Sequence, residues 1–203
     1  NTFQASELDW CDWAYLTFSA GNWSISAGKD MIAMGTFEED AYDVDSYAEL
    51  NTQFWNNAQI YQWGAKVGYT TDSENTDLVF QFASSPFDEK PFQNGLKTLS
   101  LYLNGTYGIF RPIWSLNNIQ YGSGKGESIT MFASGNQFDV SDRAILGLDY
   151  MLRSSGGHVG HDIAASADFI ISDKFELILK GGYDSECAGP LGLDVFDIAP
   201  SHS

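Results

Sequence analysis

Positive charge is scarce in this chain: 10 Lys and Arg stand against 27 Asp and Glu over 203 residues, a formal net charge of -17. Nucleic-acid binding needs clustered cations to neutralise phosphates, so that partner class is excluded, and anionic membrane surfaces are disfavoured as a whole. Long hydrophobic runs are missing too. The stretch around Phe169-Ile170-Ile171 is among the longest, far below the roughly 18 to 20 apolar residues of a membrane-spanning helix. Only a β-barrel could therefore take this chain across a bilayer. No long segment carries the 3.6-residue apolar rhythm and caps that mark a helix. Cysteine is limited to Cys11 and Cys187, neither in metal-ligand spacing, and the pair fits a disulfide as readily as two thiols. No signal peptide is visible, but the chain opens at Asn1 rather than Met, which fits a removed leader or an omitted longer N-terminal segment.

What is present is apolar and aromatic material, 43% and 15% of residues, too rich for disorder. It is laid out with a period of two, the signature of strands with unlike faces. In "AYLTFSAGNWSISAGK" a two-residue loop at Gly21-Asn22 brings Ala20 opposite Trp23, Phe18 opposite Ile25 and Leu16 opposite Ala27. The hydroxyls of Thr17, Ser24 and Ser26 then share the other face. In "FIISDKFELILKGGYD" a three-residue turn at 172–174 sets Ile171 against Phe175, Phe169 against Leu177 and Ala167 against Leu179. The runs "QIYQWGAKVGYTT", "DLVFQFA", "TLSLYLN" and "RAILGLDYML" alternate in the same way, and 110–121 and 127–139 are assigned as strands by position.

This reading gives an all-β fold of about ten antiparallel strands whose short and long connections alternate. Short turns fall at 21–22, 72–76, 107–110, 140–142 and 172–174; long loops fall at 30–57, 84–95, 121–126 and 154–160. Outer-membrane barrels distribute periplasmic turns and extracellular loops in this manner. Residues 1–203 then form a single barrel domain, and with the first and last strands running to the loop side the expectation is a part of a larger barrel of roughly 12 to 18 strands. The oily face ends repeatedly in aromatics, Trp23, Tyr61, Tyr69, Tyr150 and Tyr183, placed as lipid-interface girdles. The opposite face, rich in Gly and Ser, would line a wet lumen through Gln62, Lys66, Gln81, Arg143, Asp149, Asp162, Asp168, Glu176, Lys180 and Asp184. On this register Lys29 points outward and could snorkel to the headgroups.

The run "DWAYLTFSAGNWSISAGKDMIAMGTFEEDAYDVD", residues 12–45, resembles the phosphate-selective porins of the O/P family in the form found in the Bacteroides group, and "SDRAILGLDYML" is similar in style. The resemblance implies a trimeric or monomeric diffusion channel in the bacterial outer membrane, with anion selectivity from inward Lys and Arg. The chain departs from the family there, since inward carboxylates outnumber inward cations, and phosphate selectivity is not carried over.

The long acidic loop, 30–57, gathers Glu38, Glu39, Asp40, Asp43 and Asp45, and no Lys or Arg occurs from 30 through 65. It could fold into the lumen as a cation-attracting constriction, hold a divalent cation, or remain a solvated loop; its spacing is not that of an EF-hand. "YGSGKGES" lacks the hydroxyl a phosphate-binding loop needs after its Lys. His158 and His161 lack a third metal ligand. No Ser-His-Asp signature supports catalysis. The expectation is thus a channel, not an enzyme, for small hydrophilic solutes or ions, in contact with outer-membrane lipid, as a homotrimer or beside an envelope-complex partner, with no cofactor and no metal. A non-conducting barrel acting as a surface-binding or scaffold component, and a soluble β-barrel binding an apolar ligand, are the alternatives.

Overall fold

The computed structural model describes residues 11, 13–37, 60–88, 90–124, 127–172 and 174–185. Every regular element among them is a strand: β1 (Ala14–Ala20), β2 (Trp23–Met31), β3 (Tyr61–Thr70), β4 (Thr76–Ser84), β5 (Lys97–Gly105), β6 (Phe110–Gln120), β7 (Ser128–Ser141), β8 (Ala144–Ser155), β9 (His158–Ser172) and β10 (Phe175–Asp184). They form one antiparallel sheet in which strands pair strictly in sequence order. This is an antiparallel meander of ten strands among the described residues.

The register turns local alternation into two continuous faces. One row runs Phe18, Ile25, Val67, Phe80, Leu101, Leu116, Phe132, Leu152 across β1 to β8. The row one residue away runs Thr17, Ser26, Lys66, Gln81, Ser100, Asn117, Met131, Arg153. In a soluble sheet the first row would be the core. Here it lies open, with Leu16 85% and Phe18 71% exposed and Ile25, Phe80, Leu101 and Leu116 each at half or more. A face this large and this apolar has a bilayer as its solvent. Aromatics pair on it near the short turns: Trp23 on Tyr69 with ring centroids 4.9 Å apart, and Phe110 stacked on Phe138 at 5.2 Å. Tyr61 meets Trp13 edge-on at the other end, 5.9 Å away, while Tyr150 and Tyr183 flank Ile163 in register.

The hairpin at Gly21-Asn22 has the expected register, Ala20 to Trp23, Phe18 to Ile25 and Leu16 to Ala27. Three other connections differ from expectation. The residues from 154 to 160 are not a long loop: β8 and β9 extend to Ser155 and His158, which pair directly. Gly156 and Gly157, with φ of 57° and 86°, make a two-residue hairpin turn of the kind that requires positive φ at both positions. The β9–β10 turn is likewise tighter, since Phe175 pairs with Ser172 and a bulge then shifts Glu176 to Ile170. The bulge restores Leu177 opposite Phe169 and Leu179 opposite Ala167. Between β7 and β8 the turn is at 142–143, so Arg143 is exposed at the short-turn rim instead of lining the wall. Lys29 also departs from expectation. It is 3% exposed and does not snorkel outward, although the register sets it beside Ala14 and Trp63 on the outer row.

An arginine placed in the apolar row should be costly where an arginine on an open inner position is not. Leu101→Arg is expected to lower unfolding stability in phospholipid vesicles by about 2–4 kcal/mol, while Thr17→Arg leaves the denaturant midpoint nearly unchanged. Equal midpoints for the two variants would contradict the assignment of faces.

Candidate functional site: the covered inner face

The inner face of β4 to β8 is not open. After β2 the chain turns across it, and residues 31–37 lie over the wall as a strap held by wall side chains. The amide of Ala33 donates to Gln81 Oε1 at 2.7 Å, that of Gly35 to Ser115 Oγ at 2.9 Å and that of Phe37 to Asp149 Oδ2 at 3.2 Å. In the other direction Gln81 Nε2 donates to the carbonyl of Met31 and Asn117 Nδ2 to that of Ala33, both at 2.8 Å. Every second amide is taken, on β4, β6 and β8 in turn, which is how an extended segment presents its backbone along one edge. The wall groups are themselves tied together: Asn117 Nδ2 donates to Ser100 Oγ at 2.7 Å and Ser115 Oγ to Asn117 Oδ1 at 2.6 Å. Buried amides need such partners, since an unsatisfied one costs about 1–3 kcal/mol.

Two glycines make the approach close enough. A Cβ on Gly35 would stand 2.3 Å from the Ser115 amide nitrogen and 2.6 Å from Trp114 Cα. On the wall, a Cβ on Gly135 would stand 2.9 Å from the Phe37 ring and 3.1 Å from Thr36 Cα. The alternate strap side chains, Ile32 and Met34, join Ile119, Met131, Ala133 and Met151 in an apolar cluster with Phe87 packed against it. This sector of the wall is therefore dry, contrary to the expectation of a uniformly small and polar lining.

Of the residues expected to line a lumen, Gln62, Gln81, Asp149 and Asp162 do lie on the inner register but are covered or engaged. Gln81 and Asp149 hold the strap, and Gln62 Oε1 accepts from Ser84 Oγ at 2.7 Å. Asp162 Oδ1 meets Arg153 Nη2 at 2.7 Å, with the two side chains 2% and 3% exposed. Removing one partner of a pair this buried would leave an uncompensated buried charge. Lys66 forms an ion pair with Asp30, the residue just before the strap, and lies 5.3 Å from the Tyr15 ring centroid. Asp168, Glu176 and Lys180 remain on the inner register of β9 and β10, and Asp184 ends β10. Arg111 and Arg153 are inward cations that the sequence reading missed; Arg111 pairs with Asp139 at 2.7 Å. Arg153 shares the parity of Asp149 and Met151, a signal masked by ending that strand too early. His161 stands on β9 and its Nδ1 is 2.8 Å from the Tyr150 hydroxyl. Glu38, Glu39, Asp40, Asp43, Asp45 and Cys187 lie outside the described residues.

Three ion pairs, Lys66–Asp30, Arg111–Asp139 and Arg153–Asp162, cancel most inward charge. The remaining inward-register charges with described side chains on β3 to β10 are Lys180 against Asp77, Asp149, Asp168 and Glu176, an acidic balance.

No family model matches the sequence, and no curated protein matches it. Among solved structures the chain is similar to the outer-membrane-expressed OmpT of Vibrio cholerae, with TM-score 0.55 and 14% identity over 84% of this chain and 60% of that one. It is also similar to an anion-selective porin from Comamonas acidovorans, with TM-score 0.52 and 14% identity over 85% of this chain and 48% of that one. The chain thus spans about half to three-fifths of the length of these proteins and shares the fold of bacterial outer-membrane β-barrels. The likeness holds at the level of that fold.

Removing the wall groups that hold the strap should free its backbone. In a Ser115→Ala, Asp149→Ala double variant, amide exchange at Gly35 and Phe37 is expected to quicken by at least about tenfold, the equivalent of roughly 1.4 kcal/mol. The amides of β4 and β5 serve as the internal control and should not change.

Proposed function

We propose that the chain forms the wall of a passive diffusion channel for small hydrophilic solutes and ions in the bacterial outer membrane, narrowed by its 31–37 strap and biased against anions. The observation that carries this reading is the strap itself: a segment laid across the inner face, fixed by five hydrogen bonds to wall side chains. Glu38 directly follows Phe37, whose amide is bound to β8, so the acidic run leaves the strap from a point on the inner wall. Carboxylates brought there would raise the local cation concentration, and the mechanism is exclusion by size plus the field of fixed charges. No cofactor or energy source takes part, and the reading is non-enzymatic.

The barrel-like neighbours support a membrane channel or barrel in general, and the assembly proposed for it is a homotrimer or a barrel beside an envelope-complex partner. A second reading is favoured by the apolar cluster and the buried Arg153–Asp162 pair, which fill one sector of the interior: a plugged, non-conducting barrel that presents its loops as a binding or scaffold surface.

Planar-bilayer recording under a salt gradient separates the two. Stepwise conductance with a cation-selective reversal potential supports the channel, and folded, inserted protein without steps supports the plugged barrel. In a conducting protein, joint replacement of Glu38, Glu39, Asp40, Asp43 and Asp45 by the corresponding amides is expected to shift the reversal potential toward zero; an unchanged value would remove that run from the conduction path.

A further inference from the structure

The β4–β5 loop carries a feature that the channel reading does not use. Phe92 adopts φ 60°, a conformation in which a bulky residue is rare and strained. That backbone delivers its ring over the rim onto the outer face, where it stacks on Phe82 with centroids 5.8 Å apart and planes 9° from parallel. Phe82 belongs to the lipid-facing side of β4, in register with Leu99 and Ala65. The loop is ordered around this placement: Asp88 accepts from the backbone amide of Asn94 at 3.1 Å and from its Nδ2 at 2.7 Å, and the amide of Gly95 donates to the Phe92 carbonyl at 3.1 Å. Phe92 is nevertheless 40% exposed, so the loop spends strain to hold an aromatic ring outward where water would not reward it.

Charge singles out the same place. Among described residues at the long-loop rim the exposed cations are Lys90 and Lys97, which bracket Phe92 in the sequence. The others are inward, as Lys66, Arg111, Arg153 and Lys180, or buried, as Lys29, or at the short-turn rim, as Arg143 and Lys174. Of the loop's two acidic residues, Asp88 is turned onto Asn94 and Glu89 lies outside the described residues. In a chain of net charge -17, two exposed lysines beside an outward aromatic at the edge of the apolar band form a local exception to the overall repulsion of anions.

We propose that Lys90, Phe92 and Lys97 form a lipid-docking site, in which Phe92 enters the acyl border beside Phe82 while Lys90 and Lys97 bind the phosphate of an anionic lipid headgroup. An aromatic ring favours that interface because it has an apolar body and a polarisable face, and a lysine near an anionic headgroup layer contributes attraction that a zwitterionic layer does not.

Native mass spectrometry of detergent-purified, folded protein after exchange into equal mixtures of phosphatidylglycerol and phosphatidylcholine tests this. Wild type is expected to retain phosphatidylglycerol preferentially. Lys90→Gln with Lys97→Gln should lose that preference by roughly fivefold for each charge removed, and Phe92→Ala should lower retention of both lipids. Arg143→Gln with Lys174→Gln, at the opposite rim, should leave the retention unchanged. Equal retention by wild type and the Lys90/Lys97 variant, or displacement of the lipid by millimolar inorganic phosphate, would overturn the site. Heat-modifiable gel mobility confirms that each variant is folded.

Discussion

Backbone hydrogen bonding without water governs this molecule. Within hydrocarbon an unpaired amide or carbonyl costs several kcal/mol, so each strand must satisfy both edges on neighbours, and β2 to β9 do so in unbroken sequence order. Once the ladder is complete, side chains are free to sort by solvent. The row through Phe18, Phe80, Leu101 and Leu116 is open because lipid covers it, and the row through Thr17, Ser26, Lys66 and Gln81 faces inward because it need not meet lipid.

The same rule is applied a second time inside. A strap that leaves the sheet has lost its ladder, and wall side chains replace it. Gln81 is suited to this because its amide both accepts from Ala33 and donates to Met31, and Asn117 couples Ala33 to Ser100 and Ser115. Ile32 and Met34 add an apolar seal against Met131 and Met151. The interior thus contains a small soluble-protein core within a membrane sheet. It narrows the inner space, and it explains why wall positions that read as water-facing, Gln81 and Asp162 among them, are instead buried.

Loop placement follows from strand length as much as from sequence. The β7–β9 strands run longer than those of β1–β5, so the glycine pair at 156–157 caps a tall hairpin where a loose loop was expected. Two adjacent glycines between alternating runs are a hairpin signal. The β9–β10 bulge shows a further limit: a turn can shift by one residue and still return both strands to the same faces, which pattern alone does not detect.

What the sequence by itself determined is whatever repeats every two residues. Strand identity, the greasy and polar faces, the Gly21-Asn22 register and the excess of carboxylates were all legible, because each depends on neighbours in the chain or on a simple sum. The tertiary structure alone decided what lies against the inner face. The strap's three amide bonds join residues 48, 80 and 112 positions apart, and no periodicity encodes a contact over such distances. Gly35 and Gly135 read as ordinary loop and strand glycines until the two backbones are brought together, and Lys29 reads as outward until its burial is seen. Local alternation is written by the pleat; burial is settled by which distant segments the paired sheet allows to meet.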